Sequence, residues 1–145
     1  MGIQSENILI YNLELILSKG YKRTYSAYVT DGHIASRLIN TEELKEFDAV
    51  FVSGGDSAVL CREMVRTGFG CAIEQAVNAG LVYVGISAGS MYAAGNLEKG
   101  LNIIPNPIIP HWNGDKLTSL PIGSEEIKLA DGQTIYVEGY NICLI

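Results

Sequence analysis

Leu81-Val-Tyr-Val-Gly85-Ile-Ser87-Ala-Gly89-Ser-Met-Tyr-Ala-Ala94 is the stretch on which the reading of this chain turns. Leu81 to Ile86 is a continuous apolar run, as expected of a strand buried on both faces. Ala88 to Ala94 has helical character, so strand passes into helix across Gly85-Ile86-Ser87-Ala88-Gly89. A Gly-x-Ser-x-Gly in that context is a nucleophile elbow, in which the serine sits on a strained turn above the sheet. Small residues on either side let strand and helix approach closely. The helix N-terminus adds N–H donors where an oxyanion would form. A tight strand–helix turn capped by a serine gives the same pattern, and the motif alone leaves both readings open.

Upstream, Ala49-Val-Phe-Val52 predicts a second buried strand, followed by Gly54-Gly55 and a helix from Ser57 to about Arg66. Gly68 and Gly70 punctuate, and a further helix runs from about Cys71 to Ala79, with Gly80 ending it. Strand, helices, strand, helix predicts a parallel sheet with right-handed crossovers. Towards the N-terminus, Leu9, Leu13, Ile16 and Leu17 predict a helix from Ser5 to Gly20, while Ile8 to Tyr11 also suits the start of a strand. Arg23 to Val29 and Ile34 to Ile39 flank an Asp31-Gly32 turn, and whether they pair is open. Thr41 is the predicted N-cap of a short helix. Downstream, four prolines (Pro105, Pro107, Pro110 and Pro121) make Leu97 to Pro121 a loop region. The tail reads as a β-meander of Glu126–Leu129, Thr134–Val137 and Asn141–Ile145, with turns at Asp131-Gly132 and Gly139.

At 145 residues, 48% of them hydrophobic and 18% charged, the chain suits one folded domain, 1–145. A net charge of −6 and no basic patch beyond Lys19, Lys22 and Arg23 disfavour nucleic acid as a partner. No apolar run approaches the ~20 residues of a membrane span, and Met1 to Asn7 lacks the pattern of a signal peptide. Cys61, Cys71 and Cys143 are odd in number and lack CxxC spacing. The expectation is a cytoplasmic, reduced chain with no metal and no cofactor.

A serine nucleophile needs a base, and the chain has two histidines. His33 adjoins the Asp31-Gly32 turn, a solvated position. His111, in the proline-rich loop 24 residues after Ser87, is the better general base. Gly54-Gly55 follows its own strand and therefore lies at the carboxyl edge of the sheet, where active sites of open α/β sheets assemble.

Together, Phe51-Val-Ser-Gly-Gly-Asp-Ser57, Tyr83-Val-Gly-Ile-Ser-Ala-Gly-Ser90, Pro110-His111 and Leu129-Ala-Asp-Gly-Gln133 resemble the peptidase E group. This is the S51 serine peptidase family of aspartyl dipeptidase and cyanophycinase. The resemblance implies a three-layer α/β fold whose mostly parallel sheet is flanked by helices, like class I amidotransferases and flavodoxin. It implies hydrolysis of short peptides, with Ser87 as nucleophile, His111 as base, and the N–H groups of Gly55 and Ala88 as oxyanion hole. Asp131 matches the position of the family's acid, often Glu in Pro-Glu-Gly; Glu98 and Glu138 are the alternatives. Substrate contacts fall to Gly54, Asp56 and Trp112. Two departures stand out: the family's first βα unit is lacking, leaving a smaller sheet that a second subunit in a homodimer would cover. Only Lys116 offers a basic group after the histidine, so strict aspartate specificity is unsupported. Two other readings stay open. One is a catalytically inactive, truncated paralogue serving as a binding or assembly module; the other is an amidotransferase- or esterase-like hydrolase.

Overall fold

The structure, a computed structural model, describes residues 7–10, 23–26, 29–30, 33–34, 41–47 and 49–145. In chain order its elements are β1 (Asn7–Ile10), β2 (Arg23–Ser26), β3 (Val29–Thr30), β4 (His33–Ile34) and α1 (Thr41–Leu44). There follow β5 (Ala49–Val52), α2 (Ser57–Thr67), α3 (Phe69–Asn78), β6 (Val82–Gly85) and α4 (Ala88–Ala93). The chain closes with β7 (Ile108–Ile109), β8 (Ile127–Lys128), β9 (Ile135–Glu138) and β10 (Asn141–Leu144).

Four strands form a parallel sheet in the order β2-β1-β5-β6. β5 lies inside it, and all four of its residues are buried, as their unbroken apolar character requires. Val50 and Val52 face one core with Leu44, Leu60, Met64, Phe69, Ile73 and Tyr92, so α1 to α4 all pack into that core. Ala49 and Phe51, on the other face, are buried as well. Helix α2 starts where the Asp56 carboxylate accepts from Val59 N at 2.9 Å, and stops at Gly68, whose φ of 74° is left-handed. Inside α2, buried Glu63 is held by Arg66 at 2.7 Å and Arg62 at 3.6 Å. The Arg66 hydrogen bond keeps its carboxyl below the ordinary value against the opposing effect of burial. From α4, Tyr92 reaches under Gly70, where a Cβ would collide with its hydroxyl, and burial pushes its phenol up to about 12.

The N-terminal reading needs correction. Asn7–Ile10, inside the helix predicted for Ser5–Gly20, is strand β1, because Ile8, Leu9 and Ile10 fill a slot between β2 and β5. Residues 11–20 lie outside those described. The predicted Asp31-Gly32 turn lies outside the described residues; on either side of it β3 and β4 pair antiparallel, and Arg23–Ser26 instead pairs with β1. Thr41 is the first residue of α1, and its hydroxyl donates to Gln75 Oε1 at 3.0 Å, tethering α1 to α3. Strand β6 is not buried on both faces: among the described residues it is the last strand of its sheet, and Val82 is 43% exposed.

The predicted meander resolves into two pairings. β9 and β10 form an antiparallel hairpin about Gly139, φ 59°, whereas β8 lies parallel to β7. Carboxamides hold this proline-rich half in place of long strand ladders. Asn96 clasps Ile108 by both its N–H and C=O, at 2.7 and 2.8 Å. Asn106 donates to Gly123 O and Glu125 O, and Gln133 clasps Leu117. Beneath them Ala94, Ile104, Ile108 and Ile127 form a second apolar cluster.

Two stability outcomes follow. Gly89 sits where a Cβ would meet the Val52 carbonyl, whereas Gly123, φ 75°, has open space around it. Gly89→Ala should lower the unfolding free energy by about 2–4 kcal/mol and Gly123→Ala by about 1 kcal/mol in urea titrations. Because the Glu63 carboxyl is depressed, its stabilisation is present above the ordinary value of 4.5 and lost as pH falls below it. Thermal melts should show that acid-side loss in the wild type and a flatter profile in Glu63→Gln.

Candidate active site

Ser87 lies between β6 and α4 with φ 54° and ψ −115°, a conformation that costs a non-glycine residue of order 1–3 kcal/mol. Its neighbours explain how the strain is held. A Cβ on Gly85 would lie 2.6 Å from the carbonyl carbon of Gly89, and one on Gly89 would strike the Val52 carbonyl. The flanking glycines therefore let α4 start directly against β5 and β6. Ile86 N donates to Val52 O at 3.0 Å, Gly89 N to Ile86 O at 2.9 Å, and Ser90 Oγ to Ser87 O at 2.6 Å. Every one of these bonds uses backbone around Ser87 and leaves its hydroxyl uncommitted among the described residues.

Gly54 lies against the serine side chain: a Cβ on Gly54 would fall 3.1 Å from Ser87 Cβ and 3.4 Å from its Oγ. Gly55, at φ 133°, follows in a conformation that favours glycine. Ala88 is buried at the first position of α4. Asp56 is occupied in capping α2.

His111 arrives by a separate route. Backbone bonds from Leu129 N to Ile109 O and from Trp112 N to Leu129 O extend the pairing of β7 with β8. That ladder carries His111, at φ 55°, beside the Asp131-Gly132 turn. His111 Nδ1 lies 2.7 Å from Asp131 Oδ1. Both side chains are more than half exposed, so the pair adds little stability; its consequence is orientation. A carboxylate acceptor places the neutral ring's proton on Nδ1 and leaves Nε2 as the basic nitrogen.

Ser87, His111 and Asp131 line one open cleft of about 1880 Å³, although no hydrogen bond joins Ser87 to His111. Glu138 also lines the cleft, and with burial it pushes the Tyr136 phenol up. Glu98 is exposed in the turn after α4, away from the cleft lining. Gly54, Asp56 and Trp112 are likewise not lining residues. Trp112 stacks under Lys128, whose Nζ is 4.6 Å from its ring. The amides of Asn96, Asn106 and Gln133, which fix the loop bearing His111, escaped the sequence reading because lone carboxamides have no periodicity. Among the described residues no group of three His, Cys, Asp or Glu could hold a metal ion, and no helix is long and apolar enough to cross a membrane.

Comparison with known proteins identifies the family of the chain. Residues 33–145 match the model of peptidase family S51. An uncharacterized peptidase of Pasteurella multocida is 29% identical over 108 residues, 63% of this chain and 50% of that protein. Peptidase E of Streptomyces coelicolor is 39% identical over 82 residues, 48% of this chain and 34% of that protein. The chain thus spans half or less of the length of these two relatives. A solved structure of a candidate peptidase E from Listeria monocytogenes superposes with a TM-score of 0.69 at 18% identity, covering 96% of this chain and 85% of that one. That likeness shows the α/β fold. With the family model matched over more than three quarters of its length, the chain belongs to peptidase family S51.

Proposed function

We propose that this chain is a serine peptidase that cleaves short peptides through an acyl-enzyme, in a cytoplasmic setting. The observation that carries the reading is the 2.7 Å pairing of His111 with Asp131 in the same cleft as the strained Ser87. Asp131 fixes the imidazole with its proton on Nδ1. Nε2 then takes the proton of Ser87 Oγ as the serine attacks the scissile carbonyl, and returns it to the departing amine. The N–H groups of Gly55 and Ala88 stabilise the oxyanion. Water, activated by His111, attacks the acyl-enzyme and restores Ser87. The reading requires Ser87 and His111 to approach when peptide fills the cleft, a tightening common between apo and Michaelis states. The same proposal includes a complete three-layer arrangement, with Ala49 and Phe51 facing its second helical layer.

Two measurements test these roles. In peptide hydrolysis, Ser87→Ala and His111→Ala should each lower kcat/KM by about a thousandfold or more, and Asp131→Ala by about a hundredfold. Glu98→Gln should stay within about twofold. Undiminished hydrolysis by folded Ser87→Ala would remove the reading. Separately, nitrogen-15 NMR of the imidazole, assigned with His33→Gln, should show His111 protonated at Nδ1 in the wild type and mixed tautomers in Asp131→Ala. A wild-type ring protonated mainly at Nε2 would exclude Asp131 as its orienting acid.

A further inference from the structure

The cleft that holds Ser87 is larger and more one-sided in charge than a dipeptide site needs. Its volume of about 1880 Å³ exceeds the roughly 300–1,000 Å³ usual for small-molecule pockets. One wall is the outer side of β6, the last strand of its sheet among the described residues, leading straight into Ser87; the other includes β9. Val82, Ile86 and Ile103 stand exposed along it, at 43%, 44% and 37%. Because Ile86 N bonds to Val52 O, alternation along a parallel ladder turns the N–H and C=O of Gly85 away from β5, towards the cleft. They offer one donor and one acceptor two residues before the serine, the pair that an extended peptide backbone matches.

Charge decides which peptide. Among the described residues, the ionisable groups lining the cleft are Glu74, Asp131, Glu138 and His111, with tyrosines and no lysine or arginine. The ion pairs among the described residues join none of the three carboxylates to a lysine or arginine. Lys128, near the histidine, is engaged with the Trp112 ring outside the lining. Among the described residues an acidic substrate side chain would therefore meet three like charges and no lysine or arginine, in a chain whose net charge is already −6.

Building on the peptidase reading, we infer that the cleft takes an extended peptide bearing apolar and cationic side chains, laid along β6, in preference to an aspartyl dipeptide. Complementary charge draws such a peptide in, and the exposed Val82, Ile86 and Ile103 side chains receive its apolar residues.

The test uses acetylated hexapeptides of alternating valine with lysine, glutamine or glutamate, together with Asp-Leu and Lys-Leu dipeptides. Calorimetry with Ser87→Ala protein measures binding without turnover. The lysine hexapeptide should bind at least about tenfold more tightly than the glutamate one at low salt, the gap narrowing as salt rises. Both dipeptides should bind more weakly than the lysine hexapeptide. Adding Glu74→Gln and Glu138→Gln, both at exposed positions, should reduce the lysine-to-glutamate ratio by about threefold or more, with circular dichroism checking the fold. Equal or reversed affinities, or a dipeptide binding as well as the lysine hexapeptide, overturn the inference. So does sedimentation showing a dimer that excludes the peptide, which would make a second copy the occupant. Wild-type hydrolysis without charge selectivity defeats this inference alone, whereas selective binding without hydrolysis defeats the peptidase reading alone.

Discussion

The serine half of the site depends on the contact of α4 with the sheet at Gly85, Gly89 and Val52. Packing is close enough there that a single Cβ on Gly89 would meet the Val52 carbonyl. That closeness sets the start of α4, and the start of α4 sets Ser87 in its strained conformation. Strain persists only where surroundings over-determine the backbone. Here a bond from β5 to Ile86, one within the turn to Gly89, and the Ser90 hydroxyl on Ser87 O supply that constraint. Gly54, at the carboxyl end of neighbouring β5, completes the surround by leaving room for the serine side chain.

The other half of the site is positioned by different physics. Proline-rich segments cannot form long ladders, so the loop carrying His111 relies on side-chain amides that imitate them. Asn96 acts towards Ile108 as a strand partner would, and Asn106 ties the same loop to Gly123 and Glu125. The two-residue pairing of β7 and β8 then brings residues 111 and 131 to hydrogen-bond distance. A rigid glycine junction thus presents the hydroxyl, and a clasped loop presents the imidazole.

What was legible in the sequence follows from these two modes. The strand–helix junction is legible because small residues at fixed spacing around a serine permit close packing there, although the motif alone fits a capping serine as well as a nucleophile. β5 was plain, since four consecutive apolar residues followed by Ser53 and Gly54-Gly55 match its buried slot. β6 reads the same way yet lies at the sheet's edge, because an apolar run does not say how many neighbours a strand has. Leu9 suits a helical stripe with Leu13, Ile16 and Leu17, while Ile8 to Tyr11 equally suits a strand, and the deciding contact is with β5, distant in sequence. Asp131 stood out only by its place in Ala-Asp-Gly, a turn signature that by itself says nothing about a histidine 20 residues away. The cleft's charge was also hidden, for Glu74, Asp131 and Glu138 come from three separate segments.

The central claim is that Ser87 is an activated nucleophile and that His111 activates it. Intact-mass analysis after exposure to a fluorophosphonate tests this most directly, since it needs no knowledge of the substrate. The account predicts one adduct on the wild type, absent from Ser87→Ala and from His111→Ala. A folded wild-type protein that takes up no adduct, or an adduct that survives in Ser87→Ala, would contradict it.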